Sequence, residues 1–305
     1  MSQPSHIRVR VPASTSNLGP GFDALGLALD LGVTVSVSPA SAAVITTSGE
    51  GAALLPRGPD NLVLRRMSEL AAASGRSLPP IALHIENGIP LERGLGASGA
   101  ASLAGLLAAN ALLATGLERE QILDLACQLE GHPDNVTPSL LGGCTVSALS
   151  DGHVSALQIP FPDDLVCALC IPDVRMPTHA ARQVMPQSYS RADAVFNLSR
   201  TALLVAALAT GQYAALTVAT QDRLHQSYRT TIFPALTPMI EAACAAGAYG
   251  AFLSGAGSTI AALSAPARVA SVLSAMATVG AEHGLACRTL AAHIDRVGAR
   301  VETTP

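Results

Sequence analysis

Four short segments of this 305-residue chain carry residues whose types and spacing could do chemistry. Arg93-Gly94-Leu95-Gly96-Ala97-Ser98-Gly99 stands before an alanine- and leucine-rich stretch that reads as a helix. Glycines let a backbone approach a phosphate closely, and the free N–H groups of a helix start favour negative charge. The Ser98 hydroxyl could serve Mg2+. The same glycines also suit an ordinary tight loop, and a glycine-rich turn alone does not decide between the two. Glu130-Gly131-His132-Pro133-Asp134-Asn135 follows a second helix. A carboxylate at a helix C-terminus faces the negative end of the dipole, at a cost of roughly 0.3–1 kcal/mol unless a cation compensates. Mg2+ would compensate; a solvated glutamate followed by an Asp/Asn turn is the plainer alternative.

The third segment runs from Pro12 to Asp23, a polar loop between two strands in which Asn17 and Asp23 could hold a small polar substrate, Asp23 above all an ammonium group. The fourth, Ser254-Gly255-Ala256-Gly257-Ser258, lies between two short strands, where small residues allow a ligand close. An ordinary connection and a tight turn remain open for these two.

Composition limits what the segments can be. The chain has no lysine, so all 18 of its basic residues are arginine. A Schiff-base lysine, the lysine of a Walker-type phosphate loop and the strand lysine of a protein kinase are excluded. A net charge of −4 gives no footprint for nucleic acid or an anionic membrane. Three uncharged stretches, 94–117, 201–221 and 242–267, would span a bilayer by count, but their Gly, Ser and Thr content argues against insertion. No secretory leader is visible, which makes the cytoplasm the expected address. The six cysteines lie in apolar surroundings; Cys167 and Cys170, a lone CxxC, read as buried strand thiols because no second ligand pair is spaced for zinc.

Positioning these segments requires an alternation of strands and helices. Residues 7–11 and 24–37 read as strands, and 61–73 as an amphipathic helix with Asp60 as N-cap. Residues 81–85 read as a strand and 99–114 as a buried helix. A capping-box spacing of Thr115 and Glu118 opens the next helix, whose Ile122, Leu125, Ala126 and Leu129 share one face. Strands follow at 142–149, 154–159 and 165–171, with the best boundary at 160–164. Helices at 192–210, 213–220, 237–246 and 266–283 and strands at 251–253, 259–263 and 286–291 complete the second half. The rhythm is not that of a Rossmann fold, and two α+β domains, 1–160 and 161–305, fit better.

Taken together, PASTSNLGPGFDALGLAL, GLGASGAAS, EGHPDNVTPSLLGG and FLSGAGSTIAAL resemble, in this order, the motifs of the homoserine kinases, a family of the GHMP small-molecule kinase superfamily. The resemblance implies an N-terminal domain like the second domain of ribosomal protein S5 and a ferredoxin-like C-terminal domain, with the site between them. It implies ATP over Pro90, Leu91, Glu92, Arg93, Gly94, Leu95, Gly96, Ala97, Ser98, Gly99 and Ala100, with Ser98 and Glu130 as Mg2+ ligands. Asn17, Asp23, His132, Asn135, Thr178, Arg182, Arg229 and Gly255 match the pocket for L-homoserine, whose carboxylate would explain two arginines. Asn135, Ser98 and Glu130 become the expected catalytic residues. Asn135 stands where several sister kinases present an aspartate, and because an amide cannot take a proton, a dedicated base is not expected, with Asp134 in reserve. A homodimer is expected from the resemblance alone. The chain departs from the family at Ala97, where a serine is usual, and at flanking lysines that are absent, for which Arg93 is the expected substitute. Other GHMP kinases, for mevalonate or sugars, and a catalytically silent relative are the alternatives.

Overall fold

A computed structural model describes residues 6–304. The outer ends of the two expected domains, residues 1–5 and 305, and the start of the segment read for a leader lie outside the described residues.

The first sheet is built on β1 (His6–Ser16) and β2 (Leu25–Pro39), an antiparallel pair. Ile7, Val9 and Val11 are fully buried while Arg8 and Arg10 face outward, as the alternation requires. The sheet order is β11 (Arg300–Thr304), β1, β2, β4 (Ile81–Asn87), β3 (Val44–Gly49), and the first residues of β2 also pair with β5 (Cys144–Ser150), which pairs with β6 (His153–Ile159). Four helices pack with it: α1 (Leu62–Ala73), α2 (Ala97–Leu113), α3 (Arg119–Glu130) and α4 (Val136–Leu141). Only a helix without a polar face can occupy the place of α2, which is buried almost all round, and its Ala/Leu composition supplies that.

The second sheet is fully antiparallel, in the order β10 (Cys287–Ala292), β7 (Val166–Pro172), β9 (Ile260–Ser264), β8 (Gly250–Leu253). With α9 (Leu236–Ala245) and α10 (Val269–Glu282), the chain order β7-α9-β8-β9-α10-β10 is the ferredoxin-like βαββαβ unit. Between β7 and α9 are inserted α5 (Thr178–Gln183), α6 (Arg191–Thr210), α7 (Leu216–Ala219) and α8 (Gln226–Arg229). The CxxC lies in β7, every residue of which is buried, and burial pushes the Cys167 thiol up to about 12. α6 is the one described helix long and apolar enough to cross a membrane by length and composition.

Several local expectations need correction. Asn61, not Asp60, caps α1 and accepts from the Leu64 N–H. The capping box opening α3 is Glu118 with Gln121. Thr115 is unavailable for it because its hydroxyl donates to Asn110 Oδ1, which also accepts the Leu117 N–H and so closes α2. α2 begins at Ala97, so Ser98 lies in its first turn rather than in the preceding loop. Residues 213–220 form a 3-10 turn and the short α7 instead of one helix. β11 was not expected at all; it pairs with β1 from His6↔Thr304 to Arg10↔Arg300, bringing residues that follow the second sheet back to the first.

Candidate active site

Between the two sheets lies a cavity of about 540 Å³. One wall is the phosphate-type loop. Gly94 and Gly96 have φ of +74° and +69°, values that glycine reaches at no steric cost. Their missing side chains also matter: a Cβ on Gly94 would lie 2.0 Å from the Ser254 carbonyl oxygen, and one on Gly96 would lie 2.2 Å from Ser14 Oγ. The loop is thus laid directly on the third and fourth segments. Ser254 Oγ donates to the Gly94 carbonyl at 2.6 Å, and the Ser14 N–H donates to the Leu95 carbonyl at 3.2 Å. No side chain caps α2, so the N–H groups of its first turn stay available to an anion in the cavity. Arg93 lines the cavity, but its guanidinium is tied to Asp173 at 2.7 Å and to the Leu91 carbonyl at 3.2 Å. It is therefore not the free phosphate-binding cation that would substitute for the missing lysines.

Glu130 ends α3 and is compensated from within the protein. Ser102 Oγ donates to Glu130 Oε1 at 2.7 Å, and Arg66, itself 7% exposed, places NH2 3.6 Å from the same oxygen. Arg66 Nε donates to Ser102 Oγ at 3.1 Å and NH1 to Glu69 at 2.8 Å. Glu130 Oε2 and the exposed Ser98 hydroxyl face the same cavity without a protein hydrogen bond among the described residues. Two hard oxygen donors of this kind fit Mg2+.

The other end of the cavity is built by the loop between β1 and β2. Asn17 and Asp23 hold left-handed φ of +70° and +54°, a strain of the sort kept where function needs it. Asn17 Oδ1 accepts the Asp23 N–H at 3.1 Å, and Asn17 Nδ2 donates to the Gly255 carbonyl at 3.0 Å. Asp23 and Arg182, assigned by sequence to opposite ends of an amino acid, meet here as a bidentate pair at 2.7 and 3.0 Å. His132 Nδ1 and Asp134 Oδ1 lie 2.6 Å apart, and with Asp23 they form a cluster of ligand atoms within 4.8 Å of one another. Burial opposes the charged form of His132, but the hydrogen bond and charge of Asp134 outweigh it, and its pKa is raised.

Arg229 is 2% exposed, and every acceptor around it is neutral. NH1 donates to the Gly255 carbonyl at 2.8 Å and to His225 Nδ1 at 3.0 Å, Nε donates to the Ala181 carbonyl at 3.3 Å, and among the described residues NH2 has only Met185 Sδ at 3.7 Å. Burial, then the charge of Arg182, lowers its pKa to about 10. A buried guanidinium held only by neutral acceptors is a receptor for an anion. Asn135 accepts from Ser14 Oγ at 3.0 Å through Oδ1, which leaves its amide N–H groups for the cavity.

The cavity brings together Asn17, Asp23, Glu130, His132, Asn135, Thr178, Arg182, Arg229, Gly255 and the whole loop from Pro90 to Gly99. Ala100 is the exception: it lies on the core side of α2, fully buried, and does not line the cavity. Sequence reasoning missed the apolar lining residues Leu54, Leu55 and Leu62, which suit the flat face of a nucleobase, and Phe22; it also missed Ser14, Arg66 and Ser102, which stand behind the lining and hold Asn135 and Glu130. Phe22 adjoins Asp23 and could have been found by position. Arg66 reads in sequence as one more exposed charge on an amphipathic helix.

Comparison with known proteins accords with this geometry. Residues 61–143 match the GHMP kinases N terminal domain and residues 204–282 the GHMP kinases C terminal model. The homoserine kinase of Desulfitobacterium hafniense is 43% identical over 295 residues, covering 97% of this chain and 99% of its own. The crystal structure of homoserine kinase from Cytophaga hutchinsonii superposes with a TM-score of 0.88 at 27% identity, covering 99% of each chain. The mevalonate kinase of L. major shares the fold, with a TM-score of 0.71 at 14% identity, covering 97% of this chain and 99% of its own. By its domains, its near-complete match to curated relatives and its fold, the chain belongs to the homoserine kinases of the GHMP kinase family.

Proposed function

We propose that the chain transfers the γ-phosphoryl group of ATP to the side-chain hydroxyl of L-homoserine, giving O-phospho-L-homoserine on the route to threonine. Arg229 is the observation that carries the choice of acceptor. Among the described residues its buried charge has no carboxylate partner, and it stands beside the Asp23–Arg182 pair, which suits a small molecule bearing both a carboxylate and an ammonium group. A sugar offers neither charge, and mevalonate offers no ammonium.

The loop from Pro90 to Gly99 and the first turn of α2 bind the nucleotide phosphates through backbone N–H groups, with Leu54, Leu55 and Leu62 against the base. Ser98 and Glu130 would hold Mg2+, which would supply neutralisation of phosphate charge. Asn17, Asp23, Arg182 and Arg229 orient homoserine, and His132, Thr178 and Gly255 complete its pocket. Asn135 directs an amide N–H toward the reacting oxygens. Asp134 is 2% exposed and engaged by His132, which supports a transfer without a dedicated base, the hydroxyl proton passing to a phosphate oxygen. Positioning and charge stabilisation then provide most of the rate. On this reading residues 1–160 carry the nucleotide and the Asn17–Asp23 loop, while 161–305 contribute Thr178, Arg182, Arg229 and Gly255. A cytoplasmic enzyme whose partners are small molecules and a second copy of itself completes the proposal, in line with a net charge of −4.

A coupled ADP-release assay with homoserine, threonine, serine, mevalonate and galactose tests it. Homoserine should give the highest kcat/KM, and the absence of homoserine-dependent ADP release rejects it. A carboxylate-governed limb in the pH-rate profile that disappears in folded, substrate-binding Asp134→Ala would refute the base-free version.

A further inference from the structure

His225 precedes α8, is fully buried, and does not itself line the cavity but stands directly behind Arg229 and Phe22, which do. Its Nε2 lies 2.7 Å from the Gly19 carbonyl oxygen, and its Nδ1 lies 3.0 Å from Arg229 NH1. A carbonyl only accepts and a guanidinium only donates, so one protonation state satisfies both contacts: a neutral imidazole with its proton on Nε2. Burial lowers the pKa of His225 most strongly, and although Asp222 opposes this, the net direction is down, in keeping with the neutral ring. The Asp222 carboxylate, 3.6 Å from Nε2, does not need a charged partner there. It already accepts the backbone N–H groups of Leu224, His225 and Gln226 at 3.0, 2.9 and 2.7 Å and the Asn197 amide at 2.7 Å.

We infer that His225 is a positioning residue that fixes the Arg229 guanidinium for the substrate carboxylate by tying it to the loop that holds Asn17 and Asp23. This rests on the reading of Arg229 given above. Gly19, the acceptor of Nε2–H, belongs to that loop, so a single imidazole bridges the two groups of residues that would grip the amino acid. The Gly255 carbonyl makes a second bridge, accepting from both Arg229 NH1 and Asn17 Nδ2. Together His225 and Gly255 occupy the NH1 side of the fork. The NH2 side has only a thioether sulfur among the described residues and is left for the stronger acceptor that a ligand carboxylate brings. The Phe22 ring closes the arrangement, its centroid 5.3 Å from that of His225 and 5.8 Å from Arg229 Cζ.

The test is calorimetric titration of the full chain with homoserine and, separately, with a non-hydrolysable ATP analogue. His225→Leu removes both the donor and the acceptor; His225→Gln keeps one of each. Homoserine affinity should fall about tenfold or more in His225→Leu while nucleotide affinity stays within about twofold, and His225→Gln should recover most of the loss. A residue needed only for folding would shift the melting temperature and weaken both ligands together, and that result overturns the inference. If His225→Leu does not fold, His225→Asn, too short to reach both partners, takes its place. Unchanged homoserine affinity in His225→Leu, beside a weakened Arg229→Gln, overturns the positioning role alone. An Arg229→Gln variant that binds homoserine as tightly as the parent overturns the reading of Arg229 itself.

Discussion

Replacing Gly94 by alanine separates the two demands the structure makes on the phosphate loop. The first is conformational: a residue with a Cβ at φ near +74° costs roughly 1–2 kcal/mol. The second is steric. The new Cβ would lie 2.0 Å from the Ser254 carbonyl oxygen and 2.8 Å from the Gly257 nitrogen, both backbone atoms that cannot swing aside. Relief requires the loop to retreat by about 1 Å, and overpacking of this kind adds about 1–3 kcal/mol. Gly116 is the matched control, with φ of +73° and no atom within 4 Å of an added Cβ. Gly116→Ala should therefore lose about 1–2 kcal/mol in urea unfolding and Gly94→Ala about 2–5 kcal/mol. A displacement of about 1 Å at the phosphates should also lower kcat/KM by about 100-fold in Gly94→Ala, with Gly116→Ala unchanged in ADP release. Equal destabilisation by the two alanines, or a Gly94→Ala enzyme within about threefold of parental activity, would refute the claim that the loop is seated on the Ser254–Gly257 backbone.

Ser102→Ala frees Glu130 Oε1, and the Mg2+ concentration for half-maximal rate should rise about tenfold, together with weaker Mn2+ binding seen by electron paramagnetic resonance of the nucleotide complex. Asp23→Asn and Arg182→Gln should each raise the homoserine KM at least about tenfold at constant ATP KM, and the double variant should lose less than the product of the two because the pair is coupled. The raised pKa of the folded His132 means that its bond to Asp134 stabilises the protein below the ordinary value of 6.5 and that this contribution is lost as pH rises through the folded value. The melting-temperature difference between parent and His132→Asn should accordingly be larger near about pH 5.5 than near about pH 8.5.

Much of the site was legible because its residues cluster in four contiguous segments whose glycine and polar content departs from the Ala-, Leu- and Val-rich chain around them. Asn17, Asp23, Ser98, Glu130 and Asn135 all belong to such segments, and all line one cavity. What the sequence hid was pairing over long separations. Nothing in the sequence near Glu130 announces that Arg66 stands 3.6 Å from its carboxylate, or that Asp23 and Arg182 meet before any ligand arrives. The long elements with a clear period were found nearly to their ends. α5 and α8, of six and four residues, are too short to show a period, and β3 (Thr, Ser and Gly after two apolar residues) and β11 (Arg, Glu and Thr around one valine) are edge strands too short and too polar to stand out from loop.

The pairing of β11 with β1 has a consequence for the order in which the molecule can assemble. During synthesis β1 emerges before all other described strands, and its partner emerges after the last strand of the second sheet. Until then the outer edge of β1 is an open template, with Ile7 and Val9 beside it. The two sheets cannot mature one after the other like beads on a string. The loop that carries Asn17 and Asp23 follows the other end of β1, and its bonds to Gly255 and Arg182 likewise wait for the second half of the chain to emerge. Such a high-separation contact predicts slow, late acquisition of acceptor binding on refolding, after the helices have formed.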